Sequence, residues 1–136
     1  MAFSDPAKGR SVICSPGPES PAVTVAEDVK EGDILGYSSG WKRALATVGT
    51  AIQGRLVALK DTLSGGQCPV ATHCVVEGYS GATPGSWIYV AEGTDYGQVT
   101  ETAPSTTNDA NTIIGIALSA TEVLFFLNSR ADSLSS

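Results

Sequence analysis

"KEGDILGYSSG" at residues 30–40 is matched by "TPGSWIYVAEG" at residues 83–93, and this match decides how the chain is read. Gly32 falls on Gly85 and Gly40 on Gly93, an offset of 53 positions. Further on, "VALKDT" at residues 57–62 is echoed by "IALSAT" at residues 116–121, an offset of 59. Each copy reads as a turn, a strand, a glycine, a strand, a loop and a further strand. Because the offset grows, the second copy carries a longer loop, and the turn-rich "TAPSTTNDAN" at residues 102–111 is its expected place. A half of about 55 residues buries too little surface to stand alone. Two related halves can close one core against each other and cover sheet edges that otherwise aggregate. The competing explanation is that all-β chains reuse turn-and-strand phrases.

Outside the repeated phrases the pattern is the same. β-Branched and aromatic residues run in short segments with turn signals every 8–12 residues, which is the pattern of a small sandwich or barrel. "KRALATVGTAIQ" at residues 42–53 is the one helix-compatible stretch, weakened by Gly49 and by the β-branched Thr47, Val48 and Thr50. The expected fold is therefore all-β, with at most one short helix. A β domain spans 22–128, with pseudo-repeats at about 22–74 and 75–128, followed by a tail at 129–136. Residues 1–21 hold four of the seven prolines and are expected to form a flexible, extended N-terminal arm, within which "RSVIC" can pair as a short strand. Extended, about 20 residues reach on the order of 65–70 Å. In "EVLFFLN" and "TIIGIAL" both strand faces are apolar, so both faces need cover, from the same chain or from a second subunit.

Composition narrows the function. With 136 residues, 42% hydrophobic, the chain is long enough for one modest core. The net charge is −6 and the eight Lys and Arg are scattered, unlike the cationic clusters that neutralise phosphates, so a nucleic-acid partner is not expected. No apolar run approaches a membrane span, so no membrane partner is expected. The first residues lack the basic-then-apolar pattern of a signal peptide, and synthesis in the host cytoplasm is expected. Cys14, Cys68 and Cys74 are an odd set, which favours free thiols. Cys68 and Cys74 read as facing one side of a single strand about 20 Å apart, too far for a disulfide. A bridge from Cys14 stays open.

Catalytic groupings are sparse. His73 is the one histidine, and Cys74 beside it points to the other face of its strand, so the two do not share a metal. No Gly-x-Ser-x-Gly elbow accompanies it. The "SGGQ" loop at 64–67 is not followed by the Lys-Ser/Thr of a phosphate cradle. Glu27, Asp28, Glu31 and Asp33 form an acidic cluster without the spacing of a calcium loop, read as a solvated turn. Trp41, Trp87 and Tyr96 are the candidates for stacking on a sugar or anchoring an interface. No enzyme activity, cofactor or metal is expected.

"GYSGATPGSWIYVAEGTDYGQVT", a Ser/Thr/Asn-rich loop and "IIGIALSATEVLFFL" resemble the C-terminal half of tailed-phage capsid cement, or head decoration, proteins. "VTVAEDVKEGDIL" and "IQGRLVALKDTLSGGQCPVATHCVVEG" are similar to the N-terminal half of that family, so the resemblance covers about residues 23–127. Arg55 stands where a small apolar residue is commoner, and residues 1–21 match nothing in the family pattern. The resemblance implies a β-tulip domain, usually trimeric. It would sit on the outer surface of the virion shell and clamp the major capsid protein against internal DNA pressure. On that expectation Lys8, Arg10, Val12 and Ile13 of the arm contact the capsid, the loop at 78–85 being the rival contact. Leu124, Phe126, Ile114 and Trp87 form the trimer interface. A glycan-binding adhesion module is the alternative function.

Overall fold

The computed structural model describes residues 3–6, 8–14, 22–45, 52, 54–91, 96–102 and 113–127. Within them the chain is all-β. Its strands are β1 (Ser11–Cys14), β2 (Ala22–Thr24), β3 (Ile34–Tyr37), β4 (Trp41–Arg43), β5 (Leu56–Ala58) and β6 (Gln67–Ala71), then β7 (His73–Glu77), β8 (Trp87–Val90), β9 (Val99–Thr100), β10 (Ile113–Ala117) and β11 (Glu122–Phe126). They form two antiparallel sheets, ordered β2-β6-β5-β3-β4 and β1-β7-β11-β10-β8-β9, which stay separate and do not close into one barrel. The helix-compatible stretch enters the fold as strand: Lys42 and Arg43 lie in β4, and Leu45 bridges Ile52. Residues 46–51 and 53 lie outside the described residues.

The two sheets are copies of one plan. Leaving β1 aside, β2, β6, β5, β3 and β4 correspond in order to β7, β11, β10, β8 and β9. Register agrees as well. Ile34 opposes Val57 and Leu35 opposes Leu56; at the sequence offsets, Trp87 opposes Ile116 and Ile88 opposes Gly115. The turns before β3 and β8 carry the same bonds. Asp33 N donates to Lys30 O at 2.9 Å and Ser86 N to Thr83 O at 3.0 Å, while Gly32 N and Gly85 N donate to Ala58 O and Ala117 O, both at 2.8 Å. Gly32 and Gly85 have φ of 89° and 88°, the left-handed conformation that the third position of a type II turn requires.

One core cluster joins the sheets, with Ile34, Ala44 and Val57 of the first half packed among Val76, Ile88, Val90, Val123, Phe125 and Leu127 of the second. A smaller cluster, with Leu35, Ala58, Cys68 and Val70 under Val25 and Val29, covers the other face of the first sheet from within the chain. "QCPVATHCVVEG" is not one strand: the chain bends at Thr72 and passes from the first sheet to the second. Cys68 and Cys74 therefore do not share a face, as a single strand would require; both are buried, in different clusters.

The N-terminal segment is laid along this body. β1 pairs with the outer edge of β7, Phe3 stacks on Tyr79 with ring centroids 5.7 Å apart, and Ser4 bridges Ser80. Residues 15–21 and 129–136, the rest of the expected arm and the tail, lie outside the described residues.

Candidate association face

The second sheet has one face in the core and one face turned outward, and side-chain alternation assigns residues to each. Val75, Leu124, Ile116 and Trp87 oppose one another in turn across β7, β11, β10 and β8, so they form one row on the outer face. Phe126, Tyr89 and Ile113 lie on the same side. Trp87 is 50% exposed and Ile113 37%, and the others are half-buried. At one end of the face Glu77 and Glu122 stand directly opposite each other. A continuous apolar row of this kind makes the outer face the candidate association surface.

Three of the four expected interface residues, Leu124, Phe126 and Trp87, are on this face. Ile114 is not: it is 2% exposed and belongs to the core. The register of β10 against β8 slips between Ile113 and Gly115. That bulge spends two residues on one step of the pleat, so Ile114 and Gly115 both turn inward.

The four expected capsid contacts separate. Lys8 is exposed and Ile13 is 47% exposed at the irregular step of β1. Val12 packs partly against the main core, with its N–H donated to Glu31 Oε2 at 2.6 Å. Arg10, expected to face a partner's acidic groups, is 2% exposed and pairs instead with Asp5 at 3.2 Å and with Asp33. Burial works against the guanidinium charge, but Asp5 and Asp33 outweigh it, so the Arg10 pKa rises above its ordinary value. Burial pushes the Asp33 carboxyl up, against the pull of Arg10 and of the Lys30 N–H. Asp5 also accepts Val99 N at 3.0 Å, so this cluster ties the N-terminal segment to both halves. Tyr79 lies against it, its phenol pushed up by burial. The loop at 78–85 is pinned here through the buried Tyr79 and Ala82, leaving Thr83, Pro84 and Gly85 exposed. Sequence reasoning missed this cluster. The available signal was a lone arginine flanking an apolar "SVIC", and its partners are set by the fold.

The acidic cluster is absorbed by structural bonds. Glu27 accepts Arg43 N and Nε, at 2.8 and 2.9 Å. Asp28 accepts Ser64 N, Glu31 accepts Val12 N, and Asp33 accepts Lys30 N besides Arg10. Each carboxylate satisfies a turn or strand-end N–H that would otherwise lack a protein partner. His73 is exposed, with Nδ1 3.0 Å from Thr72 Oγ1, while Cys74 points into the core. Among the described residues no group of three His, Cys, Asp or Glu is placed to hold a metal ion. Nor is any helix there long and apolar enough to cross a membrane. Of the aromatic candidates, Trp41 meets Tyr37 edge-on at 5.4 Å, Arg43 covers the ring of Tyr96 at 5.8 Å, and Trp87 stands apart on the outer face of the other sheet. No family model matches the chain, and neither a curated protein nor a solved structure matches it.

Proposed function

We propose that this chain is a cement protein of a tailed-phage head, which associates as a trimer and grips the outside of the shell. The observation that carries the reading is the outward apolar row Val75–Leu124–Ile116–Trp87 on a small duplicated β body. A second support is the resemblance of residues 23–127 to capsid cement proteins. The outer face of the second sheet serves self-association. The shell contact falls to the exposed side of β1, with Lys8 and Ile13, where an edge strand can add to a sheet edge of the major capsid protein. Three weak contacts on one trimer act together, and effective concentration raises avidity by about 10²–10⁴ without any new contact type.

The test mixes the purified protein with expanded, empty shells of the parent phage and measures copies bound per shell and the shell melting temperature. Saturable binding at a fixed copy number with raised melting is expected, and an absence of binding overturns the reading. Because Arg10 and Val12 belong to the folded body, the shell contact is probed by Ile13→Asp and Lys8→Glu and not by truncation. Both variants are expected to keep the fold and lose shell affinity.

A further inference from the structure

The two halves are built alike but do not meet through like surfaces. In the first sheet the row Ala71–Val57–Ile34 is covered by the second sheet; its counterpart Leu124–Ile116–Trp87 faces outward. What covers Ile34 is the β8–β9 hairpin. Ile34, Val90 and Leu127 converge on Gly54, where an added Cβ would lie 2.9, 3.2 and 3.5 Å from them. Gly97, at φ +78°, inserts between strands of the first half: Ile34 N donates to Gly97 O at 3.0 Å and Gly97 N to Ala44 O at 2.8 Å. The second half thus supplies a tongue, and the first half supplies the groove beside Ile34 that takes it.

The first half has the same tongue, in the β3–β4 hairpin. Tyr37 opposes Trp41 as Val90 opposes Val99. Two residues before each second strand stand Ser39 and Gly97, and Ser39, at φ +56°, is the one non-glycine residue with positive φ among the described residues. Where Val90 and Val99 are buried, Tyr37 is 66% exposed. The first tongue is shorter, and its ring pair is correspondingly bulkier than two valines. So each chain has one tongue and one groove in use. In the other tongue Trp41 rests on the first half's own smaller cluster, with Trp41 O accepting Ala26 N at 2.8 Å, and Tyr37 is left exposed at its outer side; the other groove, beside Trp87, faces outward. The undescribed segments are mainly Ser, Thr, Pro, Gly, Ala, Asp and Asn; apart from Met1 their large apolar side chains are Val48 and Leu134, which leaves little to cover Trp87 from within.

We infer that the β3–β4 tongue of one copy docks beside Trp87 of the next, repeating between chains the contact that joins the two halves within a chain. The contact is heterologous, with different surfaces on the two partners, and it gives a closed trimer where the rotation from copy to copy is a third of a turn. It rests on the reading that copies self-associate and specifies the surfaces. The test is complementation, read by light scattering on a sizing column. Tyr37→Glu removes the tongue and Trp87→Glu the groove, and both side chains are exposed, so the fold is kept. Each variant alone is expected to be monomeric where the wild type associates, a weakening of about tenfold or more. Mixed in equal amounts they are expected to form a one-to-one dimer, because each retains the half that the other lacks. If Glu disturbs the hairpin, Tyr37→Ser takes its place. Wild-type-like assembly of the tongue variant, or a mixture that stays monomeric, overturns the inference while leaving self-association intact; a wild type monomeric at all concentrations overturns both.

Discussion

At Arg10 a guanidinium is shut away from water between Asp5 and Asp33, with side-chain exposures of 0%, 2% and 3% for the three groups. Removing the cation strands two carboxylates in the interior, a loss of about 3–5 kcal/mol for a broken buried pair. Arg10→Met is therefore expected to lower the unfolding free energy by about that amount in a denaturant titration, a far larger effect than loss of an exposed arm residue. Asp33→Asn keeps acceptor capacity for the Lys30 N–H and removes a buried charge, so a much smaller change is expected. The pH dependence has a definite sign. Because burial raises the Asp33 pKa above its ordinary 3.8, its contribution is fully present below that value and is lost as pH rises through the folded pKa. Asp33→Asn does not titrate, so its stability relative to wild type should climb as pH is raised from about 3 toward neutrality. A difference that falls over the same range would mean that Arg10's attraction outweighs burial.

The paired turns test the duplication at the level of elements, because they share geometry and differ in surroundings. A Cβ at Gly85 meets nothing within 4 Å, whereas at Gly32 it lies 3.1–3.3 Å from three atoms of Arg10. Gly85→Ala should cost only the left-handed backbone, about 1–2 kcal/mol. Gly32→Ala should cost that and more, because the buried Arg10 must shift; equal losses in thermal unfolding would argue against the close approach. These turns were legible in the sequence, since Glu31-Gly32 and Pro84-Gly85 before β-rich runs are turn chemistry with a fixed meaning. Other elements were not. The bend at Thr72 has no glycine or proline to mark it, so residues 68–78 read as one strand and placed both cysteines on one side. The bulge at Ile113–Gly115 breaks a count by two, so Ile114, named with Leu124, Phe126 and Trp87 as an interface residue, lies in the core while those three lie on the outer face. Arg10 in a proline-rich stretch reads as solvated because its partner Asp33 is brought to it only by the tertiary fold.

Over the whole molecule, the seam between the halves decides whether they behave as one unit. Ile34 and Val57 of the first sheet lie in the same core cluster as Val90 and Phe125 of the second, and Gly97 bonds across to Ile34 and Ala44. A seam of this kind makes unfolding cooperative, as small single domains commonly show. The chain carries its own reporters: Trp41 sits in the first half and Trp87 in the second, and they are the two tryptophans. Trp41→Phe and Trp87→Phe leave one fluorophore in each half, and the two variants, corrected for their own stabilities, should show denaturant transitions with equal slopes and matching far-UV curves. Gly54 lies at the seam, with the side chains of Ile34 and Val90 too close for an added methyl. Gly54→Val forces the halves apart there, and overpacking of this sort costs about 1–3 kcal/mol. In the Gly54→Val background the two tryptophans should report separated transitions. The first half has its second cluster under Val25 and Val29 to hold it, so Trp87 should report the earlier loss. Transitions already separated with Gly54 in place would mean that the halves unfold independently and that the seam does not couple them.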